Sequence, residues 1–427
     1  MFFSGLLVLK VVVAYVYLES IATSYGYYGF SSVPVNAVVS LTNWIVYFLC
    51  SAVMTTLIEK NRVSSWIITL LFCLSYIPCL VYFEASGKPF IYFAQLHTYW
   101  FLLLVLLRRL PPISLTSSVR RPSTRSSRRK AIFGDVIVVL LALYVCIVKY
   151  SYNGFYFHLD IVEVYALRAE AADKNLGFGA NYFISWACLV FTIRGVIAYN
   201  QRKYTTLILL FFLQVVIFSI AAHKFYLFAL PLALMASAFY RRGSLLWIPV
   251  LIAVMLLVSQ FLNTVMGVFY LIFMLPFRNM FLPALITGNF YDFFGSHSPD
   301  FLTQSVLGRL GFVSDYTLPI PYLIDAAYHG SGGSANTGLS ADAVSNFGFF
   351  GVLIYPILFA VVLKLLDSAA QNVEFKNNLG IVIFFTIAFL NTSFFTALLT
   401  GGVLFSLFFL MTQVSEQRRY PKRQLRS

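Results

Sequence analysis

The sequence predicts an all-α fold, a polytopic transmembrane helical bundle of about 12 spans with two enlarged outward-facing loops, and three observations carry that expectation. Hydrophobic residues make up 60% of the 427 residues, charged residues only 11%, and the mean hydropathy is +0.81. That exceeds what a soluble core of this length needs. The apolar residues also fall in runs of about twenty, the length that crosses a bilayer as a helix. Basic and acidic residues, finally, segregate to alternate connections between those runs.

Taken in chain order, the runs predict spans over residues 3–20, 35–58, 64–83, 90–107, 131–149, 179–198, 205–222, 225–240, 244–262, 339–363, 379–396 and 398–414. The last two share one apolar stretch and are separated on charge. Residues 1–427 form a single integral membrane domain, in which 108–130 is a basic loop and 415–427 a basic tail. The basic loop sets the orientation: Arg108, Arg109, Arg120, Arg121, Arg125, Arg128, Arg129 and Lys130 face no acidic residue, so the loop is cytoplasmic. Lys60 and Arg62, Arg202 and Lys203, Arg241 and Arg242, Lys364 and Lys376, and the tail then fall on the same side. Most acids, including Glu19, Glu84, Asp160, Glu163, Glu170, Asp292, Asp300, Asp315 and Asp325, fall on the other. Both termini are expected inside.

The net charge of +14 therefore reflects topology and anionic lipid, and no nucleic-acid partner is expected. The apolar N-terminal run reads as the first span, since Lys10 interrupts it and no small-residue cleavage site follows. The five cysteines, Cys50, Cys73, Cys79, Cys146 and Cys188, lie in predicted spans with neither metal nor disulfide spacing, and read as core residues. No Walker loop, zinc motif or nucleophile elbow occurs. Few polar residues lie deep in the spans, mainly Lys10 with Arg194 near an inner end, which argues against a transporter.

Two outward segments are long. In the first, residues 150–178, DIVEVYALRAEAADKN reads as an amphipathic helix with Asp160, Glu163, Glu170 and Lys174 on one stripe and Arg168 on the other face, toward protein or headgroups. Arg168 is either a snorkelling side chain or a ligand for a diphosphate, which suits a planar fork of donors. The second, residues 263–338, opens on apolar sequence interrupted by Pro276, Arg278 and Pro283. A further crossing there would put the basic tail outside, so interfacial or re-entrant helices lining a cavity are expected, with Arg278 inside it. Lys224, in the tight turn AAHKFY, is either an interfacial snorkeller or a third cation at the same mouth.

Aromatic residues make up 18% of the chain, and most near the outer ends are belt residues. Tyr291 and Tyr316, interleaved with polar residues, could instead stack on sugars. The run GSGGSANTG reads as a flexible turn and hinge, with Ser340 or Asn336 capping the next helix and Asn336 also open to a ligand.

The topology together with PFRNMFLPALITGNFYDFF and GGSANTGLSADAVSNFGFFG resembles the bacterial O-antigen and oligosaccharide repeat-unit polymerases of the Wzy type. The likeness in topology spans nearly the whole chain, and that in residues about Phe277 to Gly351. Some of these polymerases carry Arg, ten residues, then Gly in both large loops. Arg168 and Gly179 match that spacing, whereas Asn289 and Ile320 stand at that distance from Arg278 and Arg309. Metal-dependent transferases using polyprenyl-phosphate sugars resemble one another in an acidic pair in the first outer loop, where this chain offers only Glu19.

The resemblance implies a bacterial inner-membrane enzyme that works without metal or cofactor at its periplasmic face. It would move a growing glycan from undecaprenyl diphosphate to the non-reducing end of the next lipid-linked repeat unit, and a chain-length regulator is an expected partner. Arg168, Lys224 and Arg278 would meet the diphosphate. Asp292, Asp315 or His297 would serve as general base, unless the two acids only cap helices. Tyr291, Tyr316 and Asn336 would contact sugar. The alternatives are an O-antigen ligase, passing the glycan to lipid A core, and a flippase or other transporter of lipid-linked oligosaccharide.

Overall fold

The computed structural model describes residues 1–58, 62–115, 124–154, 179–221, 223–241, 243–371 and 373–413. The predicted amphipathic helix with Arg168, the middle of the basic loop and the basic tail lie outside them. Among the described residues the chain is all-α. Fourteen helices organise it: α1 Phe2–Ser24, α2 Ala37–Leu57, α3 Val63–Ala85, α4 Phe90–Arg109, α5 Arg129–Ser151, α6 Ala180–Asn200, α7 Tyr204–Ile220, α8 Lys224–Phe239, α9 Ser244–Met266, α10 Phe269–Phe294, α11 Ile320–Tyr328, α12 Ser340–Ala370, α13 Phe375–Asn391 and α14 Phe394–Thr412.

Ten of these helices are long and apolar enough to cross a membrane, as in a multi-pass membrane protein, and α7, α8 and α13 are shorter apolar helices. Their lipid-length apolar surfaces leave no water for backbone groups, so each polar main-chain atom must be satisfied within a helix. The bundle has two halves. In one, α4 packs on α2 and α12, α1 on α9, and α10 on α3 and α12; in the other, α6 packs on α5, α7 and α8, and α8 on α13. Contacts of α3 with α13 and of α12 with α14 join them. The cysteines are free; Cys50, Cys73, Cys79 and Cys188 are buried and Cys146 is half-buried.

Two faces can be told apart by direct bonds. The α1–α2 connection donates from Val33 N to Ala85 O at the end of α3, 2.8 Å away. Residues 25–36 and 86–89 therefore share what we call the upper face. At the lower face, Ser64 at the start of α3 donates its N–H and hydroxyl to Asp367 near the end of α12, at 2.8 and 2.5 Å.

Helix α10 is the exception among the ten. Straight, its 26 residues would reach about 39 Å, ample for a crossing. Yet its first residue, Phe269, stacks on Tyr25 just beyond α1, and its Asp292 bonds to Lys88 and Tyr92 beside the end of α3. Both ends lie at the upper face. A π-helical stretch over Phe273–Phe281 accommodates Pro276, whose missing N–H and bulky ring would otherwise break the i to i−4 ladder. Phe277 in this stretch stacks on Tyr25 with centroids 3.9 Å apart.

Helix α12 is kinked at Phe347 and Gly348, where Gly348 takes φ +56°, a conformation that L side chains adopt at a cost. The break frees the carbonyls of Ser345 and Asn346, and the segment after α10 fills them: Asp300 N and Phe301 N donate at 2.9 and 3.0 Å. The cap of α12 differs from expectation. Leu339, with φ +56°, occupies the position, and neither Ser340 nor Asn336 supplies a side-chain cap. The final apolar stretch divides at Thr392, not near 397; Ser393 caps α14, and the buried Asp342 of α12 accepts from Phe394 N at 2.7 Å.

The spans also hold more polar residues than the two named from sequence. Asn43, His97, Lys149 and Gln214 are buried along with Lys10. Most find local partners, which explains their toleration: His97 bonds Tyr76 at 2.7 Å and Asn43 at 3.2 Å, and Gln214 donates to Thr192 at 2.7 Å.

Candidate functional site

The upper face gathers polar side chains around the last turns of α10. Asp292 sits there as a part-exposed carboxylate, accepting from Lys88 Nζ at 2.6 Å and from the Tyr92 hydroxyl. Lys88 stands between Gly87 and Pro89 in the four-residue turn before α4, which leaves its ammonium at the bundle surface. A lysine carries three donors, so one bond to Asp292 leaves two for a ligand. Tyr328, at the end of α11, faces the same carboxylate; burial first, then the charge of Asp292, raises its phenol above the ordinary value. His329 follows, its Nε2 paired with Asn289 at 3.1 Å.

The carboxylate can be this close to α3 and α4 because Gly288 has no side chain. A Cβ there would meet Tyr82 Cε1 at 3.0 Å, Phe83 Cε1 at 3.5 Å and Lys88 Cε at 3.6 Å. Gly288→Val is expected to push α10 off α3, with about 1–3 kcal/mol lost to overpacking. A lowered melting temperature in detergent, together with weaker activity, would register it; an unchanged melting curve would mean that α10 seats itself without this contact.

The remaining predicted residues are spread more widely than the sequence suggested. His297 is exposed; its ring stacks on Phe293 at 4.0 Å and its Nδ1 pairs with Phe293 O at 2.9 Å, so it closes the end of α10. Asp315 is exposed and makes no hydrogen bond among the described residues. Tyr291 is 1% exposed under Tyr92 and Phe83, so neither of its ring faces is open to a sugar. Tyr316 is half-buried against Phe293 and Phe294 and donates to Ser298 O. Asn336 is exposed, accepting from Ser334 at 3.1 Å. The glycine run is not a free hinge either: Asp325 accepts from Ser331 Oγ at 2.7 Å and Gly333 N at 3.1 Å.

Of the three cations expected at one mouth, Arg278 and Lys224 are described, and they stand on helices in different halves of the bundle. Arg278 is exposed on the π-helical stretch, fourteen residues before Asp292 on α10, roughly 20 Å along the helix. It lies on an open side chain position and not inside a cavity. Lys224 begins α8, which packs on α6, α7 and α13 in the other half of the bundle. Arg168 lies outside the described residues. The cation that does meet Asp292, Lys88, was missed in the sequence. The available signal was a lysine in the short Ser-Gly-Lys-Pro turn between two apolar runs.

Fold and site thus define an all-helical, multi-pass membrane protein that carries a lysine- and tyrosine-bonded carboxylate at one face. Comparison of the chain with family models, with curated proteins and with solved structures finds no match.

Proposed function

We propose that this protein polymerises lipid-linked oligosaccharide repeat units at the outer face of the bacterial inner membrane. The observation that carries the proposal is the Asp292 site itself, a carboxylate between two donors at the end of a helix whose two ends share one face. Leaving α10 out of the ten long helices and adding the three shorter apolar ones gives twelve crossings, with both termini in the cytoplasm and the upper face outside.

In the proposed reaction Asp292 accepts the proton of the acceptor sugar hydroxyl. The hydroxyl oxygen bonds to the anomeric carbon of the donor glycan. The bond from that carbon to the diphosphate oxygen breaks, and undecaprenyl diphosphate leaves with the electron pair. Lys88 is the cation nearest the base and meets the charge developing on the leaving group. Tyr92 fixes the carboxylate. Arg278, roughly 20 Å along α10, is too far to serve the same bond. It suits the acceptor's own diphosphate, which sits at the opposite end of a repeat unit from the reacting hydroxyl.

A glycan gel of a deletion strain tests this. Single repeat units on lipid A core support the polymerase. Bare core with accumulated polymer would indicate an O-antigen ligase instead. Complementation with Arg278→Ala is expected to shorten or abolish long chains at normal protein level; a normal ladder removes Arg278 from the site.

A second reading, a flippase or other transporter of lipid-linked oligosaccharide, is favoured by Lys10. Its ammonium is buried in α1 without a hydrogen-bond partner, 3.7 Å above the Trp44 ring and 5.0 Å from that of Tyr47. Cations so placed often mark a translocation path. A deletion strain lacking outward lipid-linked units would favour it over the polymerase.

A further inference from the structure

We propose that the lower face holds a second anion site, specific for a phosphate ester and separate from the chemistry at Asp292. Helix α4 connects the two ends: Tyr92 touches Asp292, and Arg108 and Arg109 close its last turn, about 25 Å away at 1.5 Å per residue. There two adjoining clefts, of about 400 and 300 Å³, open between the start of α3, the residues after α4 and the end of α12. They share Arg62 and Lys364, and the smaller also takes Arg108 and Arg109.

The positive-inside pattern explains cations near this face, but not their convergence on a walled cleft. Lys364 is the decisive group. It is only 7% exposed, yet it lines both clefts and makes neither a hydrogen bond nor an ion pair among the described residues. Its stem is walled in by the helices while its ammonium opens onto the clefts, so the cation is held in place facing the space where an anion would sit. Among the described residues the one carboxylate in the lining, Asp367, lies near enough to feel Lys364, but its two oxygens already accept from Ser64. Arg62, Arg108, Arg109 and Lys364 thus bring four basic side chains to the lining, against one acidic residue among the described ones. The walls are fixed as well as charged: Leu115 N donates to Ser368 Oγ at 2.9 Å, holding the segment after α4 against α12.

Chemistry selects a phosphate. Guanidinium groups give paired donors to its oxygens, and a lysine supplies a point charge behind them. The phosphate belongs either to an anionic lipid headgroup entering from the membrane or to a soluble ester entering from the aqueous side. The full-length protein in detergent, the Lys364→Met variant and the exposed-site variant Arg108→Gln/Arg109→Gln separate the possibilities. Each is titrated with dioleoylphosphatidylglycerol, read as retained lipid by native mass spectrometry, and with inorganic phosphate, read as a shift in melting temperature.

About tenfold weaker lipid retention in both variants identifies a headgroup site. A phosphate-dependent shift in the wild type that both variants lose identifies a soluble one. If both probes act on all three proteins alike, or on none, the site does not exist. The surface variant keeps the test valid should Lys364→Met fail to fold.

Discussion

Asp292→Asn is expected to lower the rate of glycan bond formation by about 10²–10⁴-fold, the usual contribution of a positioned general base, while the protein remains folded and in the membrane. The amide keeps the shape of the carboxylate and still accepts one bond from Lys88 or Tyr92, so α10 should stay where it is. What it loses is the ability to take a proton. The expected phenotype in a deletion background is core carrying single repeat units, with lipid-linked units accumulating behind the block. Lys88→Met should approach the same phenotype by another route, leaving the base without its cation and the departing diphosphate without a counter-charge. Long chains from Asp292→Asn at normal protein level would remove this carboxylate from the reaction.

Asp300→Ala is expected to have the largest effect on the fold of the upper face. Asp300 is 5% exposed, and its carboxylate accepts from Thr303 Oγ1 at 2.7 Å, Gln304 N at 3.0 Å and Ser314 Oγ at 2.7 Å. Its own N–H bonds Ser345 O at the kink of α12. Removing the carboxylate takes the acceptor from three part-buried donors, of which Thr303 Oγ1 keeps its bond to Asp300 O at 2.8 Å, at a cost of about 1–3 kcal/mol. The loss should be local. Limited proteolysis ought to cut between residues 296 and 318 in the variant and not in the wild type, with the melting temperature lowered. Equal resistance of both proteins would mean that other contacts hold the loop.

These two acids show what the sequence could and could not reveal. Apolar runs of bilayer length announce themselves because lipid demands them, and residues 339–363 or 90–107 needed no long-range information. Helix α10 is different. By length and hydropathy it counts as a span, and only the positions of its ends, against Tyr25 and Lys88, distinguish it. Prolines and charge raised the question without supplying the contacts that answer it.

Asp292 was named with Asp315 and His297 as a possible base, but its partners Lys88 and Tyr92 lie 204 and 200 residues away in the chain, and no local pattern joins them. Asp300 and Asp325 belong to the same acidic series in sequence; in the fold both are buried and accept from backbone donors of their own loop, which gives them structural work. Tyr291 failed as a sugar platform for a related reason. Its side of α10 faces Tyr92 and Phe83, a direction that helical periodicity alone does not assign within a segment apolar on most sides. The kink at Gly348 falls inside a run read as one uninterrupted span, 339–363, and no local pattern marks its use in binding the loop that follows α10.

The central claim concerns bond formation between lipid-linked units at the Asp292 face, and reconstitution tests it most directly. Purified protein in phosphatidylglycerol vesicles, supplied only with undecaprenyl-diphosphate-linked repeat units from the outside, is expected to yield a ladder of two, three and more units. One undecaprenyl diphosphate should be released for each bond formed, and Asp292→Asn vesicles should release almost none. Intact single units after prolonged incubation, or passage of those units across the bilayer without bond formation, would contradict it.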